Sequence, residues 1–159
     1  MSVLILHHFQ QYWEDGLIKC GTTFEECMKN ACWFIINDCP DKVIVTMFEQ
    51  NKPDEYHSPL IELCNAFNVE LEFIAYDYGW QYDEEYYTQE TFNTEWCWGR
   101  RSYHQEGQDV VLIENWMHDL QDEDIYVGGA FVGECLCDLE TALDAIGIEI
   151  CFIDELCVG

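Results

Sequence analysis

A three-layer α/β domain built on a doubly wound, mostly parallel sheet of about six strands is predicted by three observations. Short runs rich in Val, Ile and Leu recur along the chain, and the segments between them carry apolar residues at three- and four-residue intervals. No linker or second hydrophobic block divides the 159 residues, so residues 1–159 form a single domain. With 49% hydrophobic and 15% aromatic residues, one packed core is within reach and intrinsic disorder is excluded.

The elements follow in order. Val3-Leu-Ile-Leu6 is an uninterrupted apolar run, as expected of a central strand covered on both faces. Thr23-Phe-Glu-Glu26 has capping-box spacing, and Phe24, Cys27, Met28, Ala31, Cys32 and Ile35 share one helical face. Asn37-Asp-Cys-Pro-Asp41 breaks that helix, and Val43-Ile-Val-Thr-Met-Phe48 reads as a β-branched strand. Ser58 is placed to cap the next helix, with Pro59 at its first position and Leu60, Leu63, Cys64 and Phe67 as its stripe. Residues 69–76 open with alternating apolar and acidic residues, which predicts a strand near an edge of the sheet.

Residues 77–108 crowd Tyr, Trp, Asp and Glu around Gly79 and Gly99 and read as an acidic, aromatic insertion or long loop. Asp109-Val-Val-Leu-Ile113 predicts a fourth strand, residues 115–120 a helical turn, and Ile125-Tyr-Val127 a fifth strand leading into Gly128-Gly-Ala-Phe-Val-Gly-Glu134. Leu136, Leu139, Leu143 and Ile146 stripe a last helix, Gly147 suits its C-cap, and Ile148-Glu-Ile-Cys-Phe-Ile153 predicts the sixth strand.

Charge narrows the function. There are 32 acidic residues against six Lys plus Arg, a formal charge of −26. Phosphate neutralisation needs a basic surface, so direct binding to nucleic acid is not expected, and anionic membranes are repelled. No apolar run approaches the roughly 20 residues that span a bilayer, and the opening residues lack a signal-like pattern, so a cytoplasmic location is expected. Ten cysteines at irregular spacing, in a chain long enough to fold without staples, read as mostly reduced thiols.

In a parallel sheet the ligand crevice lies past the carboxyl ends of the strands. That rule nominates His7, His8, Glu49, Asp77, Glu114, the 128–135 turn and Asp154 as one rim. Within the turn, a strand passes through Gly128 and Gly129 into a helix that begins near Cys135 and Cys137. Backbone amides and the helix dipole at such a turn can stabilise a thiolate or an oxyanion. The plainer reading is that the glycines allow close packing and the cysteines are small core residues.

Gly129 precedes Cys135 by six residues, and Thr141-Ala-Leu-Asp-Ala145 follows. In these residues the segment resembles the isochorismatase-like cysteine hydrolases. The resemblance covers about 20 residues near the carboxyl terminus and a loose fit at the first strand. It implies an α/β fold and a nucleophilic cysteine assisted by an acid and a lysine. Here Thr141 is in step with Cys137, the acid two residues before the family's glutamine is replaced by His8 before Gln10, and no lysine stands near Glu114. A negative field suppresses thiolate, so a hydrolase of this kind needs His8 or His7 as base for Cys135.

Two other functions compete. His8, Glu49, Asp77 and Glu114 are hard or intermediate donors that one rim could gather around a metal ion, although the two histidines of a strand end are expected to face opposite ways. No cofactor is expected, since Gly128-Gly-Ala-Phe-Val-Gly133 matches no common phosphate loop. The leading expectation is an acidic binding protein that engages a basic protein partner, as a nucleic-acid mimic that inhibits a nucleic-acid-processing or defence enzyme. Its expected contact residues are Asp77, Tyr78, Trp80, Asp83, Glu84 and Glu85, with Glu114, Gly128, Gly129 and Glu134 on the rim. The plainer reading of this charge is a solvated surface that maintains solubility.

Overall fold

The computed structural model of the chain describes residues 1–48, 50–76 and 114–159. Its elements are β1 (Ser2–His7), α1 (Glu14–Lys19), α2 (Phe24–Asp38), β2 (Lys42–Met47), α3 (Ser58–Ala66), β3 (Glu70–Ala75), α4 (Asn115–His118), β4 (Asp124–Ala130), α5 (Cys135–Ala145) and β5 (Ile150–Val158). The expected strand at 109–113 and the insertion at 77–108 lie outside the described residues.

All described strands run parallel in one five-stranded sheet of order β3-β2-β1-β4-β5. The fold is α/β, with helices on both faces. β1 is central because it has no wet face: Leu4 and Leu6 enter one core cluster with Phe24, Ile35 and Leu60, while Val3 and Ile5 enter the other with Met117, Leu139 and Leu143. Each such side chain, withdrawn from water, contributes about 2 kcal/mol. β3 is the outermost strand beyond β2, and its exposed Glu70 and Glu72 meet the Lys42 ammonium at 3.5 and 2.8 Å.

The helix ends follow the local chemistry, with two departures from expectation. Thr23 Oγ1 accepts from the Glu26 amide at 3.2 Å and caps α2, which stops at Cys39 in a left-handed conformation. Ser58, expected to be a cap, lies inside the helical run. Asp54 takes that role one turn earlier: its carboxylate accepts from the Tyr56 amide at 2.9 Å and starts a 3-10 turn, Glu55–His57, that leads into α3. β5 runs farther than the apolar pattern suggests, to Val158, so Asp154 lies within the strand and not past its end. Val127 pairs with Phe152 and Gly129 with Cys157, so a two-residue step on β4 answers a five-residue step on β5, and the resulting bulge carries exposed Asp154 and Glu155.

The chain leaves β1 toward β2 on one side and returns from β3 to β4 on the other. The carboxyl ends of β1 and β4 therefore flank the point where strand order reverses, the usual place for a crevice in such sheets.

Candidate functional site

β1 ends at this point in His7 and His8, both shielded from solvent. Strand alternation would send their rings to opposite faces, but His8 has a φ of 51° and ends the pleat. The two imidazoles consequently stack, with centroids 4.1 Å apart and planes 18° from parallel. This overturns the expectation that the pair diverges. The polar residue buried in β2 organises them: Thr46 Oγ1 accepts from the His8 amide at 3.1 Å and lies 2.7 Å from His7 Nδ1. With one proton and two lone pairs, that hydroxyl can serve His7 Nδ1 in either tautomer of the ring. His8 Nε2 donates to the Tyr76 carbonyl at 2.8 Å, which leaves the lone pair of the neutral ring on Nδ1.

Tyr76 follows β3 and closes this floor from the side. Its ring is 5.9 Å from His7 and meets Trp116 edge-on at 5.8 Å. Burial, and then the charges of Glu114 and Asp138, push its phenol far above the usual range, so it remains a neutral donor. Glu114 in turn accepts from the Trp116 indole at 3.1 Å. Asp138, in the first turn of α5, is the one described carboxylate classed as buried.

The glycines of the turn are structural. Gly129 pairs with His7 across the ladder at a φ of 113°, and a side chain there would collide with the His7 backbone. At Gly128 a Cβ would come within 2.5 Å of the Leu156 side chain. Both are buried inside β4 and do not form part of an open rim. The amides of Val132, Glu134 and Leu136 are spent on the Val158 and Phe131 carbonyls at 2.8 to 3.2 Å, which limits what the turn can offer an oxyanion. Glu134 is exposed. Cys135 is buried at the first residue of α5, whereas Cys137 lines a separate groove of about 320 Å³ with Leu136, Phe152 and Cys157.

Around His8 the space is small. The cavity it shares with Gln10, Leu17, Phe24 and Gly129 measures about 10 Å³, at the lower limit for one water. Phe131, next along the chain from the cavity's Ala130, meets Trp13 edge-on at 6.0 Å, and its ring tip would stand 2.8 Å from a Cβ on Gly16. Gln10 clamps the neighbouring loop, its amide group donating to the Phe48 carbonyl at 3.1 Å and accepting from the Phe48 amide. His57, also fully buried, reaches the Phe9 carbonyl at 2.8 Å and ties the α3 cap to the residue after His8.

The structure thus brings His7, His8, Glu114, the 128–135 turn and Cys135 to one end of the sheet. Glu49, Asp77, Tyr78, Trp80, Asp83, Glu84 and Glu85 lie outside the described residues. Among the described residues no three His, Cys, Asp or Glu side chains converge as a cation site would require. Among them, too, no helix is long and apolar enough to cross a membrane. The nine described cysteines are free thiols. Thr46, Tyr76 and Asp138 are residues that pattern reading missed as parts of this site; for Thr46 and Asp138 the visible signal was a hydroxyl and a carboxylate set inside otherwise apolar stripes.

The amino end of the sheet is different in kind. A concavity of about 510 Å³ there is lined by Asp122, Glu123, Asp124 and Glu149, with no Lys, Arg or His among its walls. It adjoins a second of about 500 Å³ that adds Glu140 and Asp144. No protein-family model, curated protein or solved structure significantly matches the chain.

Proposed function

We propose that the protein is an acidic binding protein that engages a basic protein partner, presenting carboxylates where that partner expects phosphates and so inhibiting a nucleic-acid-processing or defence enzyme. The observation that carries this reading is the placement of charge. Every described carboxylate except Asp138 keeps contact with solvent, on a chain whose formal charge is −26. A domain of this size then carries potentials of several kT over its surface, enough to steer association with a basic groove. The concave walls at the amino end add shape to that field.

The test is a capture experiment with nucleic-acid-binding proteins preselected on a DNA column. Retention by the immobilised chain should fall steeply between roughly 50 and 500 mM salt and should be competed by duplex DNA. Retention that ignores salt and DNA would overturn the reading.

A second reading has its own support: the strand order sets His7, His8 and Cys135 at one switch point, as an isochorismatase-like cysteine hydrolase using Cys135 with His8 or His7 as base would need. Rapid, selective alkylation of Cys135 at neutral pH would favour it, and uniformly slow labelling would remove it. The metal-dependent reading draws no support from the described donors.

A further inference from the structure

We infer that the aromatic ledge formed by Tyr12, Trp13 and Phe48 is the surface on which the basic partner seats an arginine. This inference rests on the binding reading above and names the side chain that the partner contributes.

The ledge lies where β1 and β2 leave the sheet. Tyr12 and Trp13 end the chain's first 3-10 turn, and Phe48 follows β2. Their ring centroids are mutually close, at 4.9 Å for Tyr12 and Trp13, 5.4 Å for Tyr12 and Phe48, and 5.6 Å for Trp13 and Phe48. Tyr12 nonetheless remains 62% exposed. A large ring held in place by two others while presenting a face to solvent has already lost its freedom, which is the property of an interface anchor.

The support beneath is firm. Trp13 stacks on His8 at 5.6 Å, His8 stacks on His7, and Gln10 clamps the Phe48 backbone, so the ledge is seated on the buried polar network. The Trp13 indole nitrogen is enclosed without a hydrogen-bond acceptor among the described residues. Such a donor is costly until something accepts from it.

Charge chooses the occupant. Asp15 is exposed two residues after Trp13, and Gln50, which accepts from Gln10, donates at 3.2 Å to the Asp54 carboxylate. Exposed rings on a chain of formal charge −26 disfavour anionic ligands and favour a cation. Among protein cations the guanidinium is planar and weakly hydrated, stacks on aromatic faces and pairs with carboxylates through its edge.

The experiment uses the full chain and two fluorescent probes, a nona-arginine and a nona-lysine peptide, followed by anisotropy at about 150 mM salt. The intact protein should bind the arginine probe more tightly than the lysine probe. Tyr12→Ala should weaken arginine binding about tenfold and erase that preference, Tyr12→Phe should retain both, and Trp33→Ala, at an exposed ring on α2, should change neither. Unchanged arginine binding in Tyr12→Ala, or an equal loss in Trp33→Ala, would overturn the ledge while leaving the binding reading intact. If the intact chain bound neither probe even at low salt, the binding reading itself would fall.

Discussion

The two ends of the sheet solve opposite problems. At the carboxyl end, most polar groups are taken out of water and given partners: Thr46 serves two histidine residues, the Tyr76 carbonyl holds His8, and Gln10 and His57 fix the loops behind them. At the amino end, carboxylates stand in water around open concavities and few of them have partners to satisfy. The first arrangement contributes to stability and specifies geometry, because an unpaired buried group would be costly. The second contributes little to stability and much to the field that other molecules meet. Mutations in the buried polar network and in the amino-end carboxylates should therefore separate folding from charge-driven binding.

The largest effect is expected at Gly129. A methyl group there must enter the His7 backbone at a φ of 113°, so Gly129→Ala should cost about 4 kcal/mol, read as a fall in the urea midpoint, and a loss below about 1 kcal/mol would contradict the close approach of β1 and β4. Next is Thr46→Val, which keeps the shape but strands His7 Nδ1 and the His8 amide; about 2–3 kcal/mol should be lost, and Thr46→Ser should recover most of it.

A smaller effect concerns thiols and pH. Burial, then the charge of Cys32, pushes the Cys64 thiol up to about 11, and burial, then Asp154 and Glu155, does the same for Cys157. Both are raised above a thiol's ordinary value of 9.0, so the unfolded chain releases these protons first. Their stabilising contribution is complete below pH 9 and is lost as pH rises toward 11, by about 1 kcal/mol per thiol after allowance for partial solvation. Equilibrium unfolding across that window should show the decline, and Cys64→Ala should flatten it. The smallest change in stability is expected for the combined Asp122→Asn, Asp124→Asn and Glu149→Gln variant. Relief of repulsion should leave it unchanged or stabilised by about 0.5 kcal/mol at low salt, while capture of basic proteins should drop several-fold. A large loss of stability would mean that the amino end is not the bare surface described above.

Much of this contrast could be read from residue order alone. The apolar runs of β1 and β2, the capped stripe of α2, the glutamates of β3 and the turn before α5 each carry a local signal, because burial on one face imposes a period that the letters display. The site was less legible for physical reasons. Thr46 looks like one more β-branched strand residue until its hydroxyl is seen to bridge the His7 ring and the His8 amide, and the left-handed turn at His8, which brings the two rings together, has no marker because few non-glycine residues of any type adopt it. α1 escaped because Gly16 weakens its pattern; that glycine is there to admit Phe131, a contact from more than a hundred residues away. The end of β5 was misjudged because a bulge interrupts its alternation.

That bulge also governs how this sheet meets others of its kind. An edge strand recruits a further chain through a straight row of unpaired amides and carbonyls. The two outermost strands of the described sheet deny that row in different ways, β3 with Glu70 and Glu72 and β5 with a kink bearing Asp154 and Glu155. Crowded copies should consequently resist joining into fibrils, and replacing those four carboxylates by neutral amides is the change under which end-to-end growth of the sheet should begin.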